Sequence, residues 1–175
     1  MDHPIVVSTQ IWNRGYFTWQ EDLLAKNDER HPYTILHCRT DAVAVLAQDP
    51  EGRWILNREY RHATGKWILG CPGGRLDEGE DAVQGGLREL LEETGFVPKK
   101  ASLLGSSYPF PGVCSQQIHY VFASGAEQKA ASQCDPLEFI KPVALTSKEL
   151  LEEMQKGTPI DGILLGGLWL YEKNL

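Results

Sequence analysis

Little in this sequence suggests export or membrane insertion. No apolar run approaches the ~18 residues needed to span a bilayer. The segment from Met1 to Trp12 lacks a basic stretch followed by an apolar one, so no secretory signal is expected. Cysteine is sparse: Cys38, Cys71, Cys114 and Cys134 are scattered, with no C-x-x-C spacing. In a chain of 175 residues they read as reduced thiols, not a disulfide framework, and a cytoplasmic location is expected. Internal repeats, low-complexity tracts and linkers are also missing. Positive charge is in deficit, with 17 Lys and Arg against 24 Asp and Glu for a net −7. That balance speaks against nucleic acid as the main partner. It leaves room for a small anionic ligand, which needs only a few Arg side chains or bound cations.

What is present is an ordinary globular composition, 42% hydrophobic and 23% charged, in a chain long enough for one core. Strand-formers and aromatics crowd the first forty residues: Ile5-Val6-Val7, Trp12, Tyr16 to Trp19 and Tyr33 to Leu36. They predict two or three strands, with a turn at Lys26-Asn27-Asp28. Asp41 to Gln48 has the nearly continuous apolar character of a buried strand. After a turn at Asp49 to Gly52, Arg53 to Tyr60 is expected to pair with it as a hairpin. Pro72-Gly73-Gly74 interrupts the pattern, and a helix is predicted from about Asp81 to Thr94, closed by Gly95. Further strands are expected at Ala101 to Ser107, Gln117 to Ala123 and Glu138 to Leu145, and helices at Ser147 to Gln155 and Gly162 to Tyr171. This order predicts a mixed sheet with helices packed on it, an α/β (α+β) architecture without regular βαβ alternation.

On a helical wheel, Val83, Leu87, Leu90, Leu91 and Thr94 form one stripe, expected to face the core. Glu89, Glu92 and Glu93 fall on the opposite side, related as i, i+3 and i+4, with Arg88 at the edge. Acids in the last two turns oppose the helix dipole and repel one another. A divalent cation with oxygen ligands, Mg²⁺ or Mn²⁺, would reverse both effects. Gly85 and Gly86 also lie mid-helix on the acidic side, each costing about 1 kcal/mol against Ala, which suggests close approach of a backbone or ligand. The helix alone does not separate a metal site from a solvated acidic face.

The longer segment does. Gly74 to Phe96 reads GRLDEGEDAVQGGLRELLEETGF. It resembles the Nudix box, G-x5-E-x7-R-E-U-x-E-E-x-G-U with U a bulky apolar residue. Gly74, Glu80, Arg88, Glu89, Glu92, Glu93 and Gly95 stand at its fixed positions, and Leu90 and Phe96 at the apolar ones. The resemblance implies a Nudix fold, an α/β/α sandwich around a mixed β-sheet. It assigns Glu89, Glu92 and Glu93, with the backbone carbonyl of Gly73, to Mg²⁺, for which Mn²⁺ can substitute. Arg88 and Glu80 would orient and support them. Divalent ions in such a site offset the charge of a diphosphate and activate water for in-line attack.

Weaker resemblances outside the box lean toward ADP-ribose pyrophosphatases. Glu59-Tyr60-Arg61 resembles their Q-Y-R segment, which places Arg61 on a substrate phosphate; a surface salt bridge is the alternative. Pro111 lies fifteen positions after Phe96, where those enzymes carry a proline, although a plain Pro-Gly turn also accounts for it. The resemblance counts Gly74 among the substrate contacts. Trp19, Phe17 or Tyr16 would stack a base, with core or interface packing as the alternative. It also implies that residues 1–40 form extra N-terminal β-strands for dimerisation and substrate contacts, with the Nudix domain at 41–175, and a homodimer.

Departures from the pattern are specific. Gly70 stands where many such enzymes have Glu, PGG replaces PAG, and Ser115-Gln116 stands where many have Asp-Glu. In the loop that usually offers two catalytic Glu, the best register sets Glu138 on the second and Pro136 on the first, with Asp135 as a substitute. The expected activity is hydrolysis of ADP-ribose to AMP and ribose 5-phosphate. Other readings are another nucleoside diphosphate sugar such as GDP-mannose or ADP-glucose, a non-catalytic nucleotide-binding sensor, and a protein-interaction domain with no metal dependence.

Overall fold

The computed structural model describes residues 4–134 and 137–174. They form two compact units, one of residues up to Asp41 with Tyr108–Gln117, the other of Ala42–Ser107 with the chain from Ile118 onward.

The first unit is an antiparallel meander of three ten-residue strands, β1 (Ile5–Arg14), β2 (Phe17–Lys26) and β3 (Glu29–Cys38). The predicted turn joins β2 to β3, with Asn27 and Asp28 at φ 52° and 65°. Two successive left-handed residues suit the twist of a tight hairpin, and Asn and Asp tolerate that region. Among the described residues β1 pairs only with β2, and it is exposed along its whole length, including Ile5, Val6, Val7, Ile11 and Trp12. The segment 108–117 joins β3 through hydrogen bonds from Leu36 N to Val113 O (2.7 Å) and from Ser115 N to Leu36 O (3.3 Å). It brings the Cys114 thiol to 3.9 Å from that of Cys38; both are free.

The second unit is built on a seven-stranded sheet. β4 (Ala42–Gln48), β5 (Trp54–Arg61), β9 (Lys100–Ser107), β10 (Ile118–Ser124) and β12 (Ile140–Leu145) run in the order β12-β5-β4-β10-β9. β6 (Lys66–Gly70) adds to β5 and β7 (Gly73–Arg75) to β4. β4 and β10 are parallel and the other pairs antiparallel, so the sheet is mixed. A short ladder joins β8 (Phe96–Val97) to β11 (Glu127–Gln128). The central strand shows why there are two cores. Val43, Val45 and Ala47 face one side with Leu90 of α1 (Ala82–Thr94), and Ala44 and Leu46 face the other with Leu150 of α2 (Ser147–Gln155) and Leu164 of α3 (Gly162–Lys173). Side chains alternate along a strand, so an unbroken apolar run feeds both layers of a sandwich. The expected α/β/α arrangement is present.

Helix α1 differs from expectation in its facing. Leu90 and Thr94 are buried, but Leu91 is 40% exposed, and the buried side also holds Gly85, Gly86 and Glu93. The cause is Gly86. A Cβ there would stand 3.1 to 3.4 Å from methyl carbons of Val45, Val43 and Val121. The bare backbone therefore settles onto the sheet along the Gly86–Leu90–Thr94 row, which draws Glu93 inward and turns Leu91 out. Gly86 serves this approach to the sheet, whereas Gly85 faces the loop before the helix, where a Cβ would stand 2.4 Å from Leu76 Cδ2 and 2.9 Å from Glu80 Oε2. Asp81 caps the helix, accepting from the amides of Val83 and Gln84, and Gly95 ends it at φ 76°.

Candidate active site

The loop from β7 into α1 and the last two turns of α1 bring the box residues together. Arg88 donates from Nε to Oε1 of Glu80 and from Nη2 to Oε2, both at 3.0 Å. Its Nη1 reaches Glu89 (2.9 Å) and Glu92 (3.2 Å), and Nη2 also donates to the carbonyl of Arg75 (3.2 Å). Glu80 accepts from Asp77 N (2.9 Å), which closes the loop before the helix. One guanidinium thus ties the loop to two of the three box carboxylates. It holds Glu80 below the ordinary carboxylate range.

The third carboxylate has a different environment. Glu93 is 5% exposed. Its Oε2 accepts from Gly73 N and from Asn57 Nδ2, each at 2.8 Å. Burial pushes its carboxyl up to about 8, opposed by the Gly73 N–H and reinforced by the charges of Glu89, Glu59 and Glu138. Burial also raises Glu89, against the pull of Arg88, and Glu59, against that of Arg61. Glu138, exposed in the loop before β12, is close enough to raise all three by its charge. Asp135, named with it, lies outside the described residues.

Gly73 lies at φ 152° in β7. A Cβ there would meet the Val43 carbonyl oxygen at 2.1 Å, so no other residue fits this turn. Beside it, a Cβ on Gly74 would stand 2.6 Å from Oε1 of Glu89, so Gly74 leaves the space that carboxylate occupies. Gly70 has a comparable neighbour: its missing Cβ would stand 3.3 Å from Cβ of Asp161, the N-cap of α3. Where many ADP-ribose enzymes carry Glu, this chain has a gap bordered by another acid.

The remaining expected contacts are placed as follows. Arg61, half-exposed at the end of β5, pairs with Glu59 at 2.6 Å. Trp19 presents a half-exposed indole on β2, and Pro111 is exposed in a turn closed by Cys114 N donating to Phe110 O. Ser115 and Gln116 have local partners within the first unit. Ser115 meets His37 (3.0 Å), and Gln116 donates to Tyr16 Oη and the Thr40 carbonyl, both at 3.0 Å. Sequence reasoning missed Asn57. Its only signal was an amide directly following the apolar run Trp54-Ile55-Leu56.

Among the described residues no three Asp, Glu, His or Cys side chains converge into a closed metal cage. The donor set is all hard oxygen, and the charge of Glu89 adds to the burial that raises the Glu93 carboxyl, a repulsion that a bound cation would relieve. The residues fit a divalent ion.

Comparison with known proteins extends this beyond the box. A NUDIX domain model matches residues 39–161. The ADP-ribose pyrophosphatase of Bacillus subtilis (strain 168) is 34% identical over 114 residues, 63% of this chain and 60% of that protein. The chain thus spans less than two thirds of that relative. The GDP-mannose pyrophosphatase of Enterobacter sp. (strain 638) is 27% identical over 171 residues, 90% of this chain and 88% of that protein. In fold, a crystal structure of an ADP compounds hydrolase superimposes with a TM-score of 0.81 over 99% of this chain and 94% of its own, at 22% identity. The domain match runs across most of the chain and contains the loop and helix that Arg88 braces, and on that ground the chain belongs to the Nudix family.

Proposed function

We propose that this protein hydrolyses the diphosphate of ADP-ribose, giving AMP and ribose 5-phosphate, with Mg²⁺ as cofactor and Mn²⁺ able to replace it. The observation that carries the reading is the complete box constellation: Glu89, Glu92 and Glu93 on one helix, with Arg88 clamped to Glu80. A module that only bound a nucleotide would have no need of this carboxylate set. When bound, a divalent ion offsets the charge of the diphosphate and activates the attacking water. Glu89, Glu92, Glu93 and the Gly73 carbonyl hold it, and Arg88 and Glu80 keep the first two carboxylates in place. Glu138 is the proposed proton acceptor for the water, with Asp135 as the alternative. Arg61 binds a phosphate, Gly74 and Pro111 contact substrate, and Trp19 offers an indole for stacking on the base.

A second reading keeps the chemistry and changes the sugar. The GDP-mannose pyrophosphatase aligns over 90% of this chain, which favours testing GDP-mannose beside ADP-ribose. The exposed apolar β1 edge supports a homodimer through the N-terminal strands, since such an edge invites pairing. Four free thiols support a reducing, cytoplasmic setting.

The test is a hydrolysis screen with Mg²⁺ or Mn²⁺ across ADP-ribose, nucleoside diphosphate sugars, dinucleotides and triphosphates, with EDTA controls. EDTA-sensitive release of AMP from ADP-ribose is expected. Preference for another diphosphate would reassign the pocket, and no turnover on any substrate would favour the binding module. Light scattering reports the oligomer, and a monomer would refute the dimer.

A further inference from the structure

We propose that Asn57 is a positioning residue for the metal site. Its carboxamide and the Gly73 amide saturate one oxygen of Glu93 and leave the other for the cation. The proposal rests on the assignment of Glu93 as a metal ligand made above.

Asn57 is 1% exposed, on β5 beside the central strand β4. Its backbone is held on both sides, paired with Gly70 of β6 and Pro142 of β12. From this fixed base Nδ2 donates to Oε2 of Glu93 at 2.8 Å, and Gly73 N donates to the same oxygen at 2.8 Å. The reverse amide orientation would set Oδ1 against a carboxylate oxygen, so the donor faces Glu93. Among the described residues Oε1 of Glu93 makes no hydrogen bond. The carboxylate therefore has one occupied oxygen and one available.

The same amide has an opposite feature. Oδ1 of Asn57 is buried and has no hydrogen-bond partner among the described residues. A buried acceptor without a donor is destabilising, and an apolar side chain of the same size would avoid it. In terms of folding alone Asn is a poor residue here. Its Nδ2 donor, aimed at a buried box carboxylate, is what an apolar residue cannot supply. Groups that hydrogen-bond a ligating carboxylate fix its orientation, and losing one typically weakens metal binding about 10–100-fold.

The two roles predict different results. If Asn57 served only the fold, Asn57→Leu would change stability and leave metal binding alone. As a positioning residue it is expected to do the reverse. The experiment titrates Mn²⁺ into the metal-free full chain without substrate, reading free Mn²⁺ by electron paramagnetic resonance. Thermal melts in EDTA check the fold. Glu93→Gln identifies the Glu93-dependent site and is expected to abolish it. Asn57→Leu is expected to melt at or above the parent temperature, yet bind Mn²⁺ at that site about tenfold or more weakly. Asn57→Ala, a smaller side chain with the same lost donor, serves if the leucine does not fit. Parent-like Mn²⁺ binding in a folded Asn57 variant, with the site lost in Glu93→Gln, overturns the role of Asn57 and spares the metal-site reading. Parent-like binding in Glu93→Gln overturns both.

Discussion

Arg88 and Glu80 meet fork to fork, Nε on Oε1 and Nη2 on Oε2, each at 3.0 Å across eight residues of sequence. The same guanidinium holds Glu89 and Glu92 from its remaining nitrogen. A lysine keeps the charge and loses the planar fork, so it cannot bridge the loop and both carboxylates. Arg88→Lys is expected to lower kcat/KM about 10–100-fold. The group is partly exposed, and exposed ion pairs add little to stability, so the melting temperature should change slightly. Steady-state kinetics beside a thermal melt checks this. Parent-like kinetics would remove Arg88 from the proposed site.

Adjacent glycines separate fold from function. At Gly73 a methyl group would strike the Val43 carbonyl at 2.1 Å, whereas at Gly74 it would meet only the end of the Glu89 side chain, at 2.6 Å. Backbone cannot yield cheaply and a side chain can. Gly73→Ala is expected to destabilise the fold severely. Gly74→Ala should fold with a small stability change and lose activity at least tenfold, because Glu89 must leave its place. Expression, melting temperature and turnover of the two variants decide it. An active Gly74→Ala would mean that the position of Glu89 is not critical.

Burial of Glu93 gives a pH signature. Its carboxyl sits at about 8 in the folded chain against an ordinary 4.5. Between those values the native state binds more protons than the unfolded one, so stability falls as pH rises through that window. The slope is at most about 1.4 kcal/mol per pH unit. Glu80 acts in the opposite sense, since its lowered carboxyl loses its stabilising effect only when the solution is made acid. In EDTA, the melting temperature of the parent should fall relative to Glu93→Gln between pH 5 and 8, and saturating Mg²⁺ should reduce the difference. Binding of Mg²⁺ at pH 7 should also release close to one proton from this group, measurable by calorimetry in buffers of different ionisation enthalpy. A parallel pH course for the two proteins would show that Glu93 is not buried as an acid.

The box was legible because its residues lie within one loop and one helix, where spacing alone decides which side chains meet. Most strands were legible as well: β4 and β10 announce themselves by apolar runs, and the Asn27–Asp28 turn by its chemistry. β6 and β7 were not, since Lys66 to Arg75 is short and glycine-rich, and β7 pairs with β4 across the intervening β5–β6 hairpin. The facing of α1 was misjudged because hydrophobicity was taken as the guide to burial, whereas at Gly86 the absence of a side chain determines it. Asn57 was illegible for a related reason. It sits 36 residues from Glu93, and no local pattern marks a partner that distant. The Ser115-Gln116 departure became intelligible only with His37, Tyr16 and Thr40 in view.

Arg61 supplies the last test, one that separates binding from chemistry. Its guanidinium is half-exposed and holds Glu59 at 2.6 Å. A residue that grips a substrate phosphate to the same degree in ground and transition states affects KM and leaves kcat alone. Charge-assisted hydrogen bonds of this kind contribute about 1.5–3 kcal/mol, or about 10–150-fold. Arg61→Ala is therefore expected to raise KM for ADP-ribose by roughly that factor, with kcat within about threefold of the parent. Arg61→Lys should recover part of the loss, since the charge remains and the fork does not. A fall in kcat at unchanged KM would move Arg61 to the reacting phosphorus, where its charge would count only as the bond breaks. No change in either constant would leave the Glu59 pair as its only role, a surface ion pair on the end of a strand.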